Sequence, residues 1–226
     1  NSLSMRPEQE AMGNKFTSLL NEIVSLDWRI AITTSDMKAT SPAETSNGNL
    51  VKFDNTTSRF LRPGLMSPTD LYNSFRETII REETGYGDER GIWAAKKSLE
   101  RRNEFGFIRD SANLAVIVLS DEDVRSNGNH QLPLPPANHT GPLEEGKDRP
   151  EDLISYVSST WLGKKRFQAH AIVIESVLPN DTTDERIRKQ DCKDDQNEQP
   201  SATAYYGTYY EKLARDTGGL ISSVCS

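Results

Sequence analysis

Apolar residues along the chain change rhythm several times, and each change marks an element. Between Glu8 and Leu26, the residues Ala11, Met12, Phe16, Leu19, Leu20, Ile23 and Val24 recur at helical steps, which places them on one helix face. Pro7 suits the first turn, and Glu8 and Glu10 complement the positive end of the helix dipole. Trp28 to Thr34 reads as a strand, and Leu50 to Phe53 as a short edge strand before the turn at Pro63-Gly64. Helical spacing returns from Asp70 to Glu82, through Leu71, Phe75, Ile79 and Ile80, and again from Glu89 to Arg102.

Leu114 to Leu119 is apolar at every position, the mark of a strand buried on both faces. The segment 125–149 is a long loop insertion rich in Pro, Gly and Asn. Pro150 opens a helix carrying Leu153, Ile154, Val157 and Trp161, and Phe167 to Ile174 is a further strand. The segment 180–201 reads as a polar loop. Tyr205 to Asp216 is the last helix, ended by Gly218-Gly219 ahead of a short strand, Leu220 to Ser222. Strands alternating with helices predict an α/β fold in one domain spanning 1–226. The expected sheet is doubly wound and mostly parallel, with helices on both faces and one antiparallel edge strand. Ligands of such sheets sit beyond the carboxyl ends of the strands, where the strand order reverses.

Composition narrows the function. The chain has 226 residues, 35% of them apolar, enough for one sizeable domain. No run reaches the roughly 18 apolar residues of a membrane span. A net charge of −7 disfavours nucleic acid and anionic lipid as partners, since both need clustered Lys and Arg. Lys96-Lys97 and Arg101-Arg102 sit at helical spacing among acids and read as a solvated face. Cys192 and Cys225 lie in polar surroundings without C-x-x-C spacing, so they read as one disulfide. Closing a loop of about 30 residues stabilises a fold by about 3–4 kcal/mol and implies a compartment outside the reducing cytosol.

Enzyme signatures are missing from the sequence. It has no G-x-S-x-G, P-loop or G-x-G-x-x-G motif. His130 and His139 flank a proline-rich stretch without zinc-motif spacing, and His170 falls inside a strand. Asn55, Asn138 and Asn180 fit the glycosylation pattern at a frequency near chance.

Three pieces carry candidate chemistry instead. Asn1-Ser2-Leu3-Ser4-Met5 sets two hydroxyls at alternate positions before a helix, where both can reach one hard cation. Serine also caps helices, so the pair is weak on its own. Thr84-Gly-Tyr-Gly-Asp-Glu89-Arg-Gly91 offers a hydroxyl and a carboxylate before a second helix. Asp121 follows the buried apolar strand in Val118-Leu-Ser-Asp-Glu-Asp123, and acids at such strand ends bind ions or ligands.

In that order, the pieces resemble a von Willebrand factor A domain, the fold of integrin ligand-binding domains, and in particular its bacterial surface versions. The resemblance covers nearly the whole chain and includes Tyr209-Tyr-Glu-Lys-Leu-Ala-Arg-Asp-Thr-Gly-Gly219. It implies a metal-ion-dependent adhesion site in which Ser2, Ser4, Asp121 and either Glu89 or Thr84 hold Mg²⁺, or Mn²⁺ or Ca²⁺. A carboxylate on a partner protein or surface would complete the coordination. It further implies an extracytoplasmic, non-enzymatic adhesion module, with His130 and His139 in the loop that shapes partner choice. The family's first strand, ending in an Asp ahead of the serines, is expected from an upstream segment or another chain. Two alternatives stand beside adhesion: a scaffold domain with a structural or lost metal, and a chelatase-type partner of an ATPase.

Overall fold

The computed structural model describes residues 5–38, 45–81, 88–125, 143–198 and 204–225. Its elements, in chain order, are α1 (Arg6–Ile23), α2 (Pro68–Ile79), α3 (Gly91–Glu100), α4 (Arg102–Phe105), β1 (Leu114–Ser120), α5 (Pro150–Thr160), β2 (Phe167–Val173), α6 (Thr183–Asn197), α7 (Thr208–Asp216) and β3 (Ile221–Ser223). The three strands form one parallel sheet in the order β1-β2-β3. This is a mixed helix and strand architecture compatible with an α/β fold.

The sheet's main core lies under α3, α5 and α7. Leu114, Ala169, Ala171 and Val173 of the strands meet Ile92, Ala95 and Leu99 of α3, Leu153 and Val157 of α5, and Tyr210 and Leu213 of α7. Parallel strands need such crossovers, and the apolar stripe of each helix supplies the cover. A second core joins Phe16 of α1 to Leu71 and Phe75 of α2 and to Phe53 and Leu61. The rings of Phe16 and Phe75 stack at 3.7 Å.

Four expectations change. The segment 28–34 forms no named strand: Ile30 and Leu61 make one antiparallel bridge, and Val51 N–H donates to Ile32 C=O at 2.8 Å. Side chains take the carbonyls that a ladder would need. Thr33 Oγ1 donates to Asn49 C=O, and the Arg59 guanidinium donates to Leu50 C=O. Second, β1 is not buried on both faces. Among the described residues it is an edge strand of the sheet, and Ile117 is 53% exposed. Third, the helix expected over Glu89 to Arg102 is two. α3 ends at Glu100, and the short α4 stops at Gly106, whose φ of 62° suits a glycine cap.

Fourth, the polar stretch within 180–201 is not a loop but contains α6. Thr182 accepts from Glu185 N–H and Glu185 accepts from Thr182 N–H, a capping box that starts a helix without apolar periodicity. Its buried residues are Lys189, Cys192 and Gln196, so the helical period is there but written in polar residues. Of the long insertion, 126–142 lies outside the described residues, and 143–149 leads into α5.

Candidate functional site at the end of β1

The carboxyl end of β1 delivers Asp121 to a point where three other segments meet. Its N–H donates to Met5 Sδ at 3.1 Å, and its C=O accepts from Tyr205 N–H at 2.9 Å. Met5 is the N-cap of α1, so the start of α1 lies against Asp121. Glu89 sits just before α3, and its C=O accepts the N–H of Arg125, four residues beyond Asp121, at 2.5 Å. Both acids are buried, Glu89 at 4% exposure and Asp121 at 2%.

Tyr210 of α7 reaches the start of α3. Its Oη accepts from Gly91 N–H at 3.2 Å. Burial, then the negative charges of Glu89 and Asp123, push its phenol well above the usual range. A Cβ on Gly91 would stand 2.6 Å from that Oη, so only glycine lets α3 start this close to the ring.

Asp123 is fully buried, and its carboxylate accepts from Val124 N–H at 2.9 Å and Tyr209 N–H at 3.1 Å. Burial pushes its pKa up to about 8, while these N–H donors act the other way. It caps α7 from outside the helix by accepting the Tyr209 N–H of the first turn. Beside Glu89, Arg90 grips Asp148 through two bonds of 2.8 and 2.6 Å and lies over the Trp93 ring at 4.0 Å.

Of the expected site residues, Glu89 and Asp121 fall on adjoining segments. Ser2, Ser4, Thr84, His130 and His139 lie outside the described residues. Cys192 and Cys225 are disulfide-bonded, with Cα atoms 5.8 Å apart, and tie α6 to the stretch after β3. Asp123, Arg90, Asp148 and Arg125 were not among the sequence candidates. Only Asp123 had a sequence signal, its place two residues past Asp121.

Donor chemistry decides what the site can hold. Asp88, Glu89, Asp121, Asp123 and Asp148 are all buried, against Arg90 as the buried guanidinium. Asp88 pairs with Arg125, Asp148 with Arg90, and Asp123 with backbone N–H groups. Among the described residues, no three His, Cys, Asp or Glu side chains group closely enough to hold a metal ion by themselves. No described helix is long and apolar enough to cross a membrane. Compared with known proteins, the chain matches no protein-family model, no curated protein and no solved structure.

Proposed function

We propose that the chain is a divalent-cation-dependent adhesion or ligand-binding domain of the von Willebrand factor A type, acting outside the cytoplasm and without turnover. The observation that carries this reading is that Asp121, at the carboxyl end of β1, lies against the start of α1, while Glu89 C=O accepts from Arg125, four residues further on. A cation held by Ser2, Ser4, Asp121 and either Glu89 or Thr84 would keep most of its charge, because hydroxyls neutralise little of it. An acidic group of a partner would then be the natural next ligand. The disulfide supports an oxidising location. The finer fold reading, a doubly wound sheet with an antiparallel edge, needs a strand beyond β1. That outer edge is where an upstream segment or a strand of another chain would pair.

Calorimetric titration of the 226-residue chain with Mg²⁺ and Mn²⁺ tests the site. Asp121→Ala should weaken binding by about two orders of magnitude or more, since it removes an anionic ligand. Unchanged binding overturns the assignment. Partner capture that survives EDTA would favour the scaffold alternative over adhesion.

A further inference from the structure

Buried acids gather near the carboxyl end of β1, and the amino end of the sheet has the opposite character. There the turn 161–166, Trp-Leu-Gly-Lys-Lys-Arg, carries three cations and no acid. The starts of β1 and β2 are paired, with Leu114 N–H donating to Arg166 C=O at 2.9 Å. Lys165 Nζ ties the turn to the segment before β1 through the C=O groups of Arg109, Asp110 and Ala112. Arg109 in turn pairs with Asp27, which fixes the stretch after α1 at the same end. Three side chains stand out from these two tips: Leu162 at 79%, Val24 at 74% and Leu26 at 57% exposure. They are three of the four most exposed large apolar side chains among the described residues; the fourth, Leu220, lies beside His170.

Leu162 is held there under strain. α5 ends with Gly163 N–H donating to Ser158 C=O at 2.9 Å, and Leu162 takes the left-handed position, φ 53°, that glycine usually fills. So exposed a leucine gains no packing in return. Lys164 and Arg166 beside it are exposed as well. Arg102 lies over the Trp161 ring at 5.4 Å and donates to Tyr156 Oη at 2.9 Å, neutral groups that leave its charge uncancelled. The acids nearest the tips, Asp27 and Asp110, are held by Arg109 and by Trp161 Nε1.

We propose that this end of the sheet is a peripheral docking surface for an anionic lipid bilayer. Leu162, Val24 and Leu26 enter the headgroup layer, and Lys164, Arg166 and Arg102 meet lipid phosphates. The inference does not rest on the cation-binding reading above. Apolar tips set among Lys and Arg match the boundary between acyl chains and headgroups. A soluble polyanion would use the cations alone and leave the tips in water. A protein partner would call for a continuous apolar core poor in Lys, not separate tips with charges between them. The net charge of −7 counts against anionic lipid only where charge is evenly spread, because the field felt at a membrane is local. β1 has seven residues, so its carboxyl end lies about 20 Å from this surface, beyond two Debye lengths of about 8 Å at physiological salt. Docked in this way, the domain turns the carboxyl end of β1 toward solution.

The test is co-sedimentation of the 226-residue chain with vesicles of phosphatidylcholine alone and of phosphatidylcholine mixed with phosphatidylglycerol. Wild type should pellet with the mixed vesicles, stay in solution with the neutral ones, and be released by high salt. Leu162→Gly suits the left-handed backbone and removes only the tip, so the fold is kept. Its affinity for the mixed vesicles should fall about tenfold. Lys164→Gln combined with Arg166→Gln should lower it about 25-fold, roughly fivefold for each charge. Ile187→Ser, an exposed apolar side chain of α6, should bind as wild type does. Failure to bind either vesicle overturns the proposal and leaves the tips to a protein partner; equal binding to both overturns it too. Vesicle binding that survives Leu162→Gly unchanged but is lost in the double charge variant also overturns it, since that is the behaviour of a site for soluble polyanions. Each of these outcomes is read without Mg²⁺, so this inference and the cation-binding reading fail separately.

Discussion

α6 and α7 are consecutive helices held in opposite ways. α7 is held by what it buries: Tyr210, Leu213 and Ala214 pack into the core under the sheet. Its first turn is capped by the buried Asp123 side chain. Its end is closed by Gly218 N–H to Arg215 C=O at 3.2 Å and Gly219 N–H to Ala214 C=O at 2.8 Å, with Gly218 at φ 68°. That is the two-bond glycine stop of a helix end. α6 buries Lys189, Cys192 and Gln196. Lys189 Nζ reaches Ser176 C=O and Asp181, both at 2.9 Å, Gln196 donates to Glu8 of α1, and Cys192 is bonded to Cys225. One helix is placed by apolar area, and the other by caps, single polar contacts and a covalent link. Apolar patterning reports the first kind of attachment and is blind to the second.

The sharpest way to break α7's side of the comparison is at its closing glycines. A Cβ on Gly219 would stand 1.7 Å from Ala169 C=O, a backbone atom of β2 that cannot move without disturbing the sheet. Gly219→Ala should destabilise the fold by about 4 kcal/mol or more, read as a lower urea midpoint. A loss below about 1 kcal/mol would mean that α7 and β3 are joined more loosely than the structure has them.

The same distinction explains how much was legible beforehand. β1, β2, α5 and α7 were readable because each carries apolar residues at its own period, and each was placed to within a few residues. α6 was not, since Ile187, its largest apolar side chain, faces solvent at 53% exposure. The segments 28–34 and 50–53 have strand-like composition, but between them the Val51 N–H to Ile32 C=O bond stands beside side-chain and turn bonds: Arg59 takes the Leu50 C=O, and Phe53 N–H meets Ser58 C=O. At the site, Glu89 and Asp121 could be picked out as acids at element ends. Arg90 and Asp148 lie 58 residues apart in the chain, and no local spacing relates them.

For α6, the link to break is covalent. Cys192 and Cys225 close a loop with a sequence separation of 33, and opening it should cost about 3–4 kcal/mol by loop-closure entropy. With both cysteines changed to serine, hydrogen exchange should quicken along Thr183–Asn197 while Thr208–Asp216 stays protected. Equal loss of protection in both helices would refute the separation drawn between them.

The two helix starts should also differ in the sign of their pH response. Asp123 at α7 has its pKa raised from 3.8 to about 8, so the folded state holds a proton that the unfolded state has released. Stability is therefore full below about pH 4 on this account and falls as pH rises toward 8. The slope should approach about 1.4 kcal/mol per pH unit between those limits. Measured in EDTA by urea unfolding, the slope should flatten in Asp123→Asn. A wild-type stability that is level from pH 5 to 7 would show that the N–H donors of Val124 and Tyr209 outweigh burial and keep Asp123 ionised.

The smallest effect belongs to the cap of α6. Thr182 Oγ1 donates to Glu185 Oε2 at 2.7 Å and accepts Glu185 N–H at 3.3 Å, while Glu185 accepts Thr182 N–H at 2.8 Å. These bonds lower the Glu185 pKa, the backbone N–H of Thr182 most of all. Glu185 thus favours folding above its ordinary pKa and ceases to as pH falls through the lowered value, the reverse of Asp123. Thr182→Ala removes the hydroxyl and should cost about 1 kcal/mol, because the Glu185 N–H it served is left to water. Removing the disulfide first should enlarge the helical loss, since the cap is then among the few constraints left on α6. Circular dichroism at 222 nm for Thr182→Ala, with and without the cysteine changes, measures that coupling. If the two losses simply add, the cap and the crosslink hold α6 independently, and a helix of this polarity is more self-sufficient than its sequence implies.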